Sequence, residues 1–263
     1  MATKLLPIMG MLLLLWGCAE GRLQPRATAQ APASPAAVAL ADPAPVRQVP
    51  LVVMHSEPVL QLLSKGRKLA LHSPEDFILQ SRRLEKNLLL PHADWVFVGY
   101  GVTVPALGWD NYQNRDMHGK TVVMLSGAPA LPDGLQVSSQ SVMSHPVASN
   151  LGHWRAKFEN AERHGAAMAI ILHDPKVEGV SYDELSEFQE LVMGASPAGG
   201  EVMVAFGWMP EARVAGWFKR AGIRWDTLKH QAGLAHFSPV DLPMASHLQM
   251  TNRWRDMEVA VPQ

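Results

Sequence analysis

The sequence predicts an α/β fold in which strands dominate, and three observations carry that expectation. Short β-branched and aromatic runs recur at Trp95–Val102, Thr121–Ser126, Ala167–Leu172 and Val202–Trp208. Gly or Pro stands near their ends, which suits buried strands. Between and after them lie segments with helical spacing. Met244–Met250 alternates apolar and polar residues, with Met244, Ser246, Leu248 and Met250 on one side, as a half-buried antiparallel strand does.

Taken in order, Leu51–Met54 reads as a strand, Ser64-Lys65-Gly66 as a turn and Arg67–Leu71 as its partner strand. A helix is expected from Ser73-Pro74: Ser suits the N-cap, Pro the first turn, and Asp76 the positive end of the dipole. Ala128–Leu151, rich in Ser, Pro and Gly, reads as a loop. His153–His164 spaces Trp154, Phe158 and Ala161 on one helical stripe, with Gly165 at its end. Tyr182–Met193 has Leu185, Phe188 and Val192 at helical spacing, and Pro197–Gly200 follows as a turn. Pro210–Ala221, with Gly222 after it, reads as a helix, and Asp226–Ala232 as a shorter one.

The flanks differ from this middle. Residues 1–18 place Lys4 before the apolar run Leu5–Trp16 and end on Leu15-Trp16-Gly17-Cys18. That run is too short to span a bilayer comfortably and suits an export signal. Its end resembles a bacterial lipobox, in which the thiol takes a diacylglycerol, although Trp16 stands where a small residue is usual. The expected location is therefore the bacterial cell envelope, lipid-anchored through Cys18. The alternative is an ordinary signal cut after Ala29, which would leave a soluble periplasmic or secreted protein. Residues 19–49 are Ala, Pro, Gln and Ser with almost no aromatics, a composition that cannot offset its ordering entropy and reads as a tether. The globular domain is expected over 50–255 and a tail over 256–263.

At 263 residues the chain has ample length for a core. Its net charge of -1 gives no overall field for steering nucleic acid or acidic ligands. Basic patches interleaved with aromatics are not apparent, which argues against nucleic acid as a partner. Cys18 is the sole cysteine, so no internal disulfide or thiolate metal cluster can form.

Trp95–Leu125 reads strand, Gly-rich turn, aromatic loop, Gly-Lys turn, strand. It resembles the protease-associated (PA) insert of the secreted bacterial zinc aminopeptidases, where a strand ending FVGYG runs into a GWDDY-like loop and a GK turn starts a VVVL-type strand. Gly152–Ala161 is similar to that family's GRWTYKFEEA helix and Gly165–His173 to its GAAGALIVH strand. Asp76-Phe77 and Arg82-Arg83 match the lead-in. The resemblance covers about Pro50 to Arg255. It implies a swivelling β/β/α fold, a bent sheet or partial barrel with flanking helices. It implies nothing for the peptidase, whose metal ligands follow the insert in that family.

A co-catalytic zinc site needs a bridging carboxylate and several His, Asp or Glu ligands. No HxD motif follows the insert-like segment, where that family's metal ligands begin, and the one such triplet, His92-Ala93-Asp94, lies ahead of the aromatic motif; no HExxH, G-x-S-x-G elbow or phosphate-binding Gly motif occurs. His173-Asp174, at the end of a strand and before Pro175, reads first as a packed His and a turn-forming Asp. No catalytic residue, metal ligand or cofactor is expected. The loop Trp109, Asp110, Tyr112 is the candidate interaction surface, since exposed Trp and Tyr anchor interfaces; the alternative is Trp109 packed on Tyr100. The expected function is a non-catalytic, envelope-anchored module binding peptide or protein. The alternative is an N-terminal fragment or accessory chain of a zinc aminopeptidase, partnered by a separate catalytic chain.

The anchoring expectation has a direct check. Cys18→Ser should release the protein from the detergent phase or stall its processing, because acyl burial is worth ~0.8 kcal/mol per CH₂. A mature N-terminus at Gln30 found by mass spectrometry would show instead that Cys18 is discarded.

Overall fold

A computed structural model describes residues 46–104, 108–130, 153–187, 190–194, 203–234 and 236–262. Its strands are β1 (Val46–Ser64), β2 (Arg67–Leu71), β3 (Ile78–Gln80), β4 (Asn87–Phe97), β5 (Thr103–Val104), β6 (Trp109–Asp110) and β7 (Thr121–Leu125). Helix α1 (Trp154–Arg163) leads to β8 (Met168–His173), then to α2 (Pro175–Glu178), α3 (Tyr182–Ser186), β9 (Glu190–Gly194) and β10 (Ala205–Pro210). Helices α4 (Glu211–Ala221) and α5 (Trp225–Ala232) precede the long β11 (Val240–Pro262). All of these belong to one compact unit.

The main sheet is mixed and runs β2-β1-β11-β4-β7-β8-β10-β3, with β9 also paired to β1; β5 and β6 form a separate small ribbon. Strands β4, β7, β8 and β10 are parallel neighbours. Their near-continuous apolar character follows from burial on both faces. Trp95, Phe97, Val123, Leu125, Ile170 and Leu172 face α4 and α5 in one core. Val96, Val98, Val122, Met124, Ala169 and Ile171 face α1 in the other, against Phe158 and Ala161. The result is an α/β, β-rich architecture.

The antiparallel part is built on β1 and β11, paired from Val46↔Pro262 to Leu63↔Ala245. β1 takes β2 along Leu60–Ser64 and β9 along Leu51–His55, while β11 takes β4. The strand therefore starts four residues before the expected boundary at Pro50, and the expected tail 256–263 is paired with β1 as far as Pro262. The reason lies in the partner: Glu258–Val261 reads as an orphan run only until the chain's N-terminal strand is laid against it.

Two expected helices differ. The segment at Ser73 is a turn, closed by Asp76 N–H donating to the His72 carbonyl at 2.7 Å and by the Asp76 carboxylate accepting from His72 N–H at 3.0 Å. Asp76 thus reaches backward and also receives Arg213 at 2.9 Å, rather than serving a helix ahead of it. The helix expected over 182–193 stops at Ser186. A Ser181/Glu184 capping box starts it, but Glu190–Gly194 is drawn into pairing with β1. Pro210 sits at the N-cap of α4 rather than inside it, and Gly222 ends it with φ 85°. The turn at 197–200, most of the loop at 128–151, and Phe188 lie outside the described residues.

One close approach is testable. Where β3 crosses Gly207, a Cβ would lie 1.8 Å from the Ile78 carbonyl oxygen. Gly207→Ala should therefore cost about 1–3 kcal/mol or more, as overpacking does, read as a lower urea midpoint. An unchanged midpoint would mean that β3 does not lie on β10.

Candidate functional site

The carboxyl ends of the parallel strands gather the chain's most unusual polar groups. Lys157, on α1, is 1% exposed. Its Nζ donates to the Tyr100 carbonyl at 2.9 Å and the Leu125 carbonyl at 2.6 Å, and lies 5.5 Å from the Tyr100 ring centre. One turn on, Asn160 Nδ2 donates to the Gly101 carbonyl at 2.9 Å. The helix is thus pinned to the loops leaving β4 and β7. Burial pulls the Lys157 pKa down to about 7, opposed weakly by Glu178, because the charged form loses its hydration. Among the described residues no carboxylate bonds to it. Gly101 must stay small there: its φ is 67° and a Cβ would meet Met124 Sδ at 2.4 Å.

Beside it, Ser126 Oγ donates to the Leu172 carbonyl at 2.7 Å and accepts from Asp174 N–H at 3.1 Å. Asp174 caps α2 through Lys176 N–H, the turn role expected for it. His173 is 2% exposed, and its ring lies 5.6 Å from that of Tyr182. Burial lowers its pKa, with Glu178 as the main opposing charge. Among the described residues no side chain hydrogen-bonds either of its ring nitrogens. Among the described residues, no group of three or more His, Cys, Asp or Glu side chains could hold a metal ion.

The loop proposed as an interaction surface is folded inward. Trp109 is buried with Val102 and Val104, and Tyr100 packs against the same cluster. Tyr112 is fully buried, stacked on His164 at 3.9 Å between ring centres, and burial raises its pKa. Asp110 fixes the turn, accepting from Tyr112 N–H at 2.9 Å and Asn114 N–H at 3.2 Å. Trp109 and Tyr112 are therefore packing residues rather than exposed anchors. The pairing of Trp109 with Tyr100 is the alternative that sequence already held open.

Sequence reasoning did not locate the ribbon that β1 and β11 form beyond the sheet. β4 leaves β11 at Thr251, and Asn252 N–H donates to the Lys86 carbonyl at 2.8 Å. By strand alternation, Trp254, Asp256 and Glu258 turn their N–H groups to that same side. Among the described residues, no strand pairs with β11 there. Trp254 is 41% exposed. The signal in sequence was the approach to Val261, legible as a strand only without its direction of pairing. Cys18 lies outside the described residues. No helix among the described residues is long and apolar enough to cross a membrane.

Comparison with protein-family models and with curated proteins gave no match.

Lys157 makes a pH prediction. Its folded pKa lies below the unfolded value of 10.5, so the native state binds fewer protons between the two. Stability contributed by this group is complete above about 10.5 and is lost as pH falls through 7. Lys157→Met removes the titration while leaving two carbonyls short of a donor, at a cost of about 1–3 kcal/mol. The stability of wild type minus that of the variant should rise from pH 7 to 10, by at most ~1.4 kcal/mol per pH unit. A flat difference in urea titrations would show that Lys157 stays fully charged throughout.

Proposed function

We propose that this chain is a non-catalytic PA-type module of the bacterial cell envelope, anchored by lipid at Cys18, that binds peptide or protein by strand addition to β11. The observation that carries this reading is the outward edge of β11 beyond Thr251, where Trp254, Asp256 and Glu258 present N–H groups with no strand opposite among the described residues. An extended peptide laid there would gain main-chain hydrogen bonds, and alternate side chains would set its specificity. The PA-type swivelling β/β/α fold is supported by the quoted motifs and by a β-rich mixed sheet. In this reading the FVGYG-like and GWDDY-like motifs build the rigid body, and the ribbon does the binding. The chain alone is then expected to hydrolyse no aminoacyl anilide.

A second reading has one observation in its favour. β1 and β11 run side by side, with Val46 opposite Pro262, a geometry by which an inserted module is carried on a larger body. The chain would then serve a zinc aminopeptidase whose catalytic domain lies on another chain, and the same ribbon would meet it.

Proline substitution separates edge binding from folding. Asp256→Pro removes an outward N–H and should leave the pairing with β1 intact, since edge positions tolerate proline. Arg255→Pro strikes the opposite, paired side and should fray the ribbon. With an immobilised library of extended decapeptides, wild type should retain a subset that Asp256→Pro loses by tenfold or more. Retention unchanged in Asp256→Pro, or no retention by wild type, would end the strand-addition reading.

A further inference from the structure

Far from that ribbon edge in sequence, the β1–β2 hairpin tip and the end of α4 enclose a cavity of about 650 Å³. That size falls within the range of small-molecule sites. Its mouth carries four cations: Lys65 at the turn, Arg67 and Lys68 on β2, and Arg220 on the last turn of α4. Among the described residues no carboxylate lines it, and none of the four forms an ion pair. Four neighbouring cations in a chain of net charge -1 are a local concentration that the whole-chain balance conceals.

The walls are apolar. Leu62, Trp217 and Met244 are buried members of the core that supports α4. Leu69, directly opposite Leu62 in the hairpin, is 43% exposed at the opening. An aliphatic residue left half in water beside a buried tryptophan adds apolar surface that an apolar body could cover. The cations do not merely serve the helix. Lys65 Nζ lies 3.7 Å from where a Cβ on Gly222 would stand, at the negative end of α4, so one of them suits the dipole. Arg67 and Lys68 lie on a strand and have no such partner among the described residues.

The geometry points to a binding site for one single-chain anionic amphiphile, with its carboxylate or phosphate head on Arg67 and Arg220 and its tail against Leu62, Leu69, Trp217 and Met244. Arginine suits this role, because its planar fork donates in pairs to either oxyanion. The apolar walls select against a bare ion, and the cationic mouth selects against a cationic or neutral chain. The site shares no residue with the β11 edge and stands whether or not that edge binds peptide.

Titration calorimetry on the full domain with dodecanoate and dodecyl phosphate below their micelle concentrations is the test. One molecule per chain is expected to bind, at least tenfold more tightly than dodecyltrimethylammonium. Arg67→Glu with Arg220→Glu should weaken binding by tenfold or more, and Leu69→Asp should do so independently. All three positions lie at the cavity mouth, so far-ultraviolet circular dichroism can verify folding, and Arg67→Lys should restore part of the affinity. Inorganic phosphate binding as tightly as dodecyl phosphate would reduce the site to an ion site and overturn the proposal. So would equal binding of the cationic amphiphile. Arg67-dependent binding to phosphatidylglycerol vesicles without binding of monomeric dodecanoate would make this a membrane-contact patch, and would overturn it as well.

Discussion

The antiparallel pairing of β1 with β11 is the constraint on which the rest of the structure depends. It runs unbroken from Val46↔Pro262 to Leu63↔Ala245, joining segments that are roughly a whole domain apart in sequence. Closing so long a loop is less costly than its length suggests, since each doubling adds only about 0.6 kcal/mol. The pairing returns much more. β11 carries β4 and so the parallel strands; β1 carries β2 and β9. Leu60, Leu62, Leu248 and Met250 then enter the same core as α4 and α5. Opening β1 from β11 would detach the hairpin that walls the cationic cavity as well as the edge offered to a partner. Pairing over so great a sequence separation raises the contact order, which slows folding.

Lys157 is the second constraint, and its energetics run against intuition. An ammonium with no carboxylate partner among the described residues, 1% exposed, suffers desolvation that two carbonyls only partly repair. What it supplies is position. The Tyr100 and Leu125 carbonyls end neighbouring parallel strands, and no apolar residue could bond both. Asn160 repeats the device on Gly101. Together they fix the loop that buries Trp109 and Tyr112, so the aromatic motif is rigid because a helix one crossover away donates into it. Its aromatics are spent on packing, with Trp109 and Tyr112 both buried.

Much of the fold was legible in sequence because the parallel strands and their helices are locally consistent. Trp154, Phe158 and Ala161 fall on one stripe and do pack on the sheet, and Gly222 does end α4. The failures share a physical cause. Ser73 and Glu190 sit in segments whose local signals favour helix, yet Arg213 captures Asp76, and β1 captures 190–194. Both competitors lie far away in the chain, where propensity cannot see them. Asn87–Ala93 was unreadable for a related reason: its Leu88 and Leu90 face the core while Leu89 stands exposed, an alternation meaningful only beside β11. The site was the least legible part. Lys157 looks like any lysine on an amphipathic helix, and a cluster of cations drawn from β2 and α4 leaves no trace in a net charge near zero.

An unpaired edge is ordinarily a hazard, and proteins blunt it with charge. β11 follows that rule: Arg253, Asp256 and Glu258 are all exposed, and Arg253 pairs across the ribbon with Glu57 at 2.9 Å. The same protection narrows what could dock. Alternation places Trp254, Asp256 and Glu258 on one face of the ribbon and Arg253 and Arg255 on the other. An incoming strand with carboxylates directly opposite Asp256 and Glu258 would meet like charge, while lysine or arginine there would gain about 0.2–1 kcal/mol per pair. Those increments are small beside the main-chain hydrogen bonds, which accept any sequence. They are differences between partners, however, and a one-residue slip exchanges every contact with the opposite face. If a strand docks as proposed, the edge would be permissive in affinity and selective in register, and a strand carrying basic residues at every second position, with an apolar one against Trp254, would fit it best.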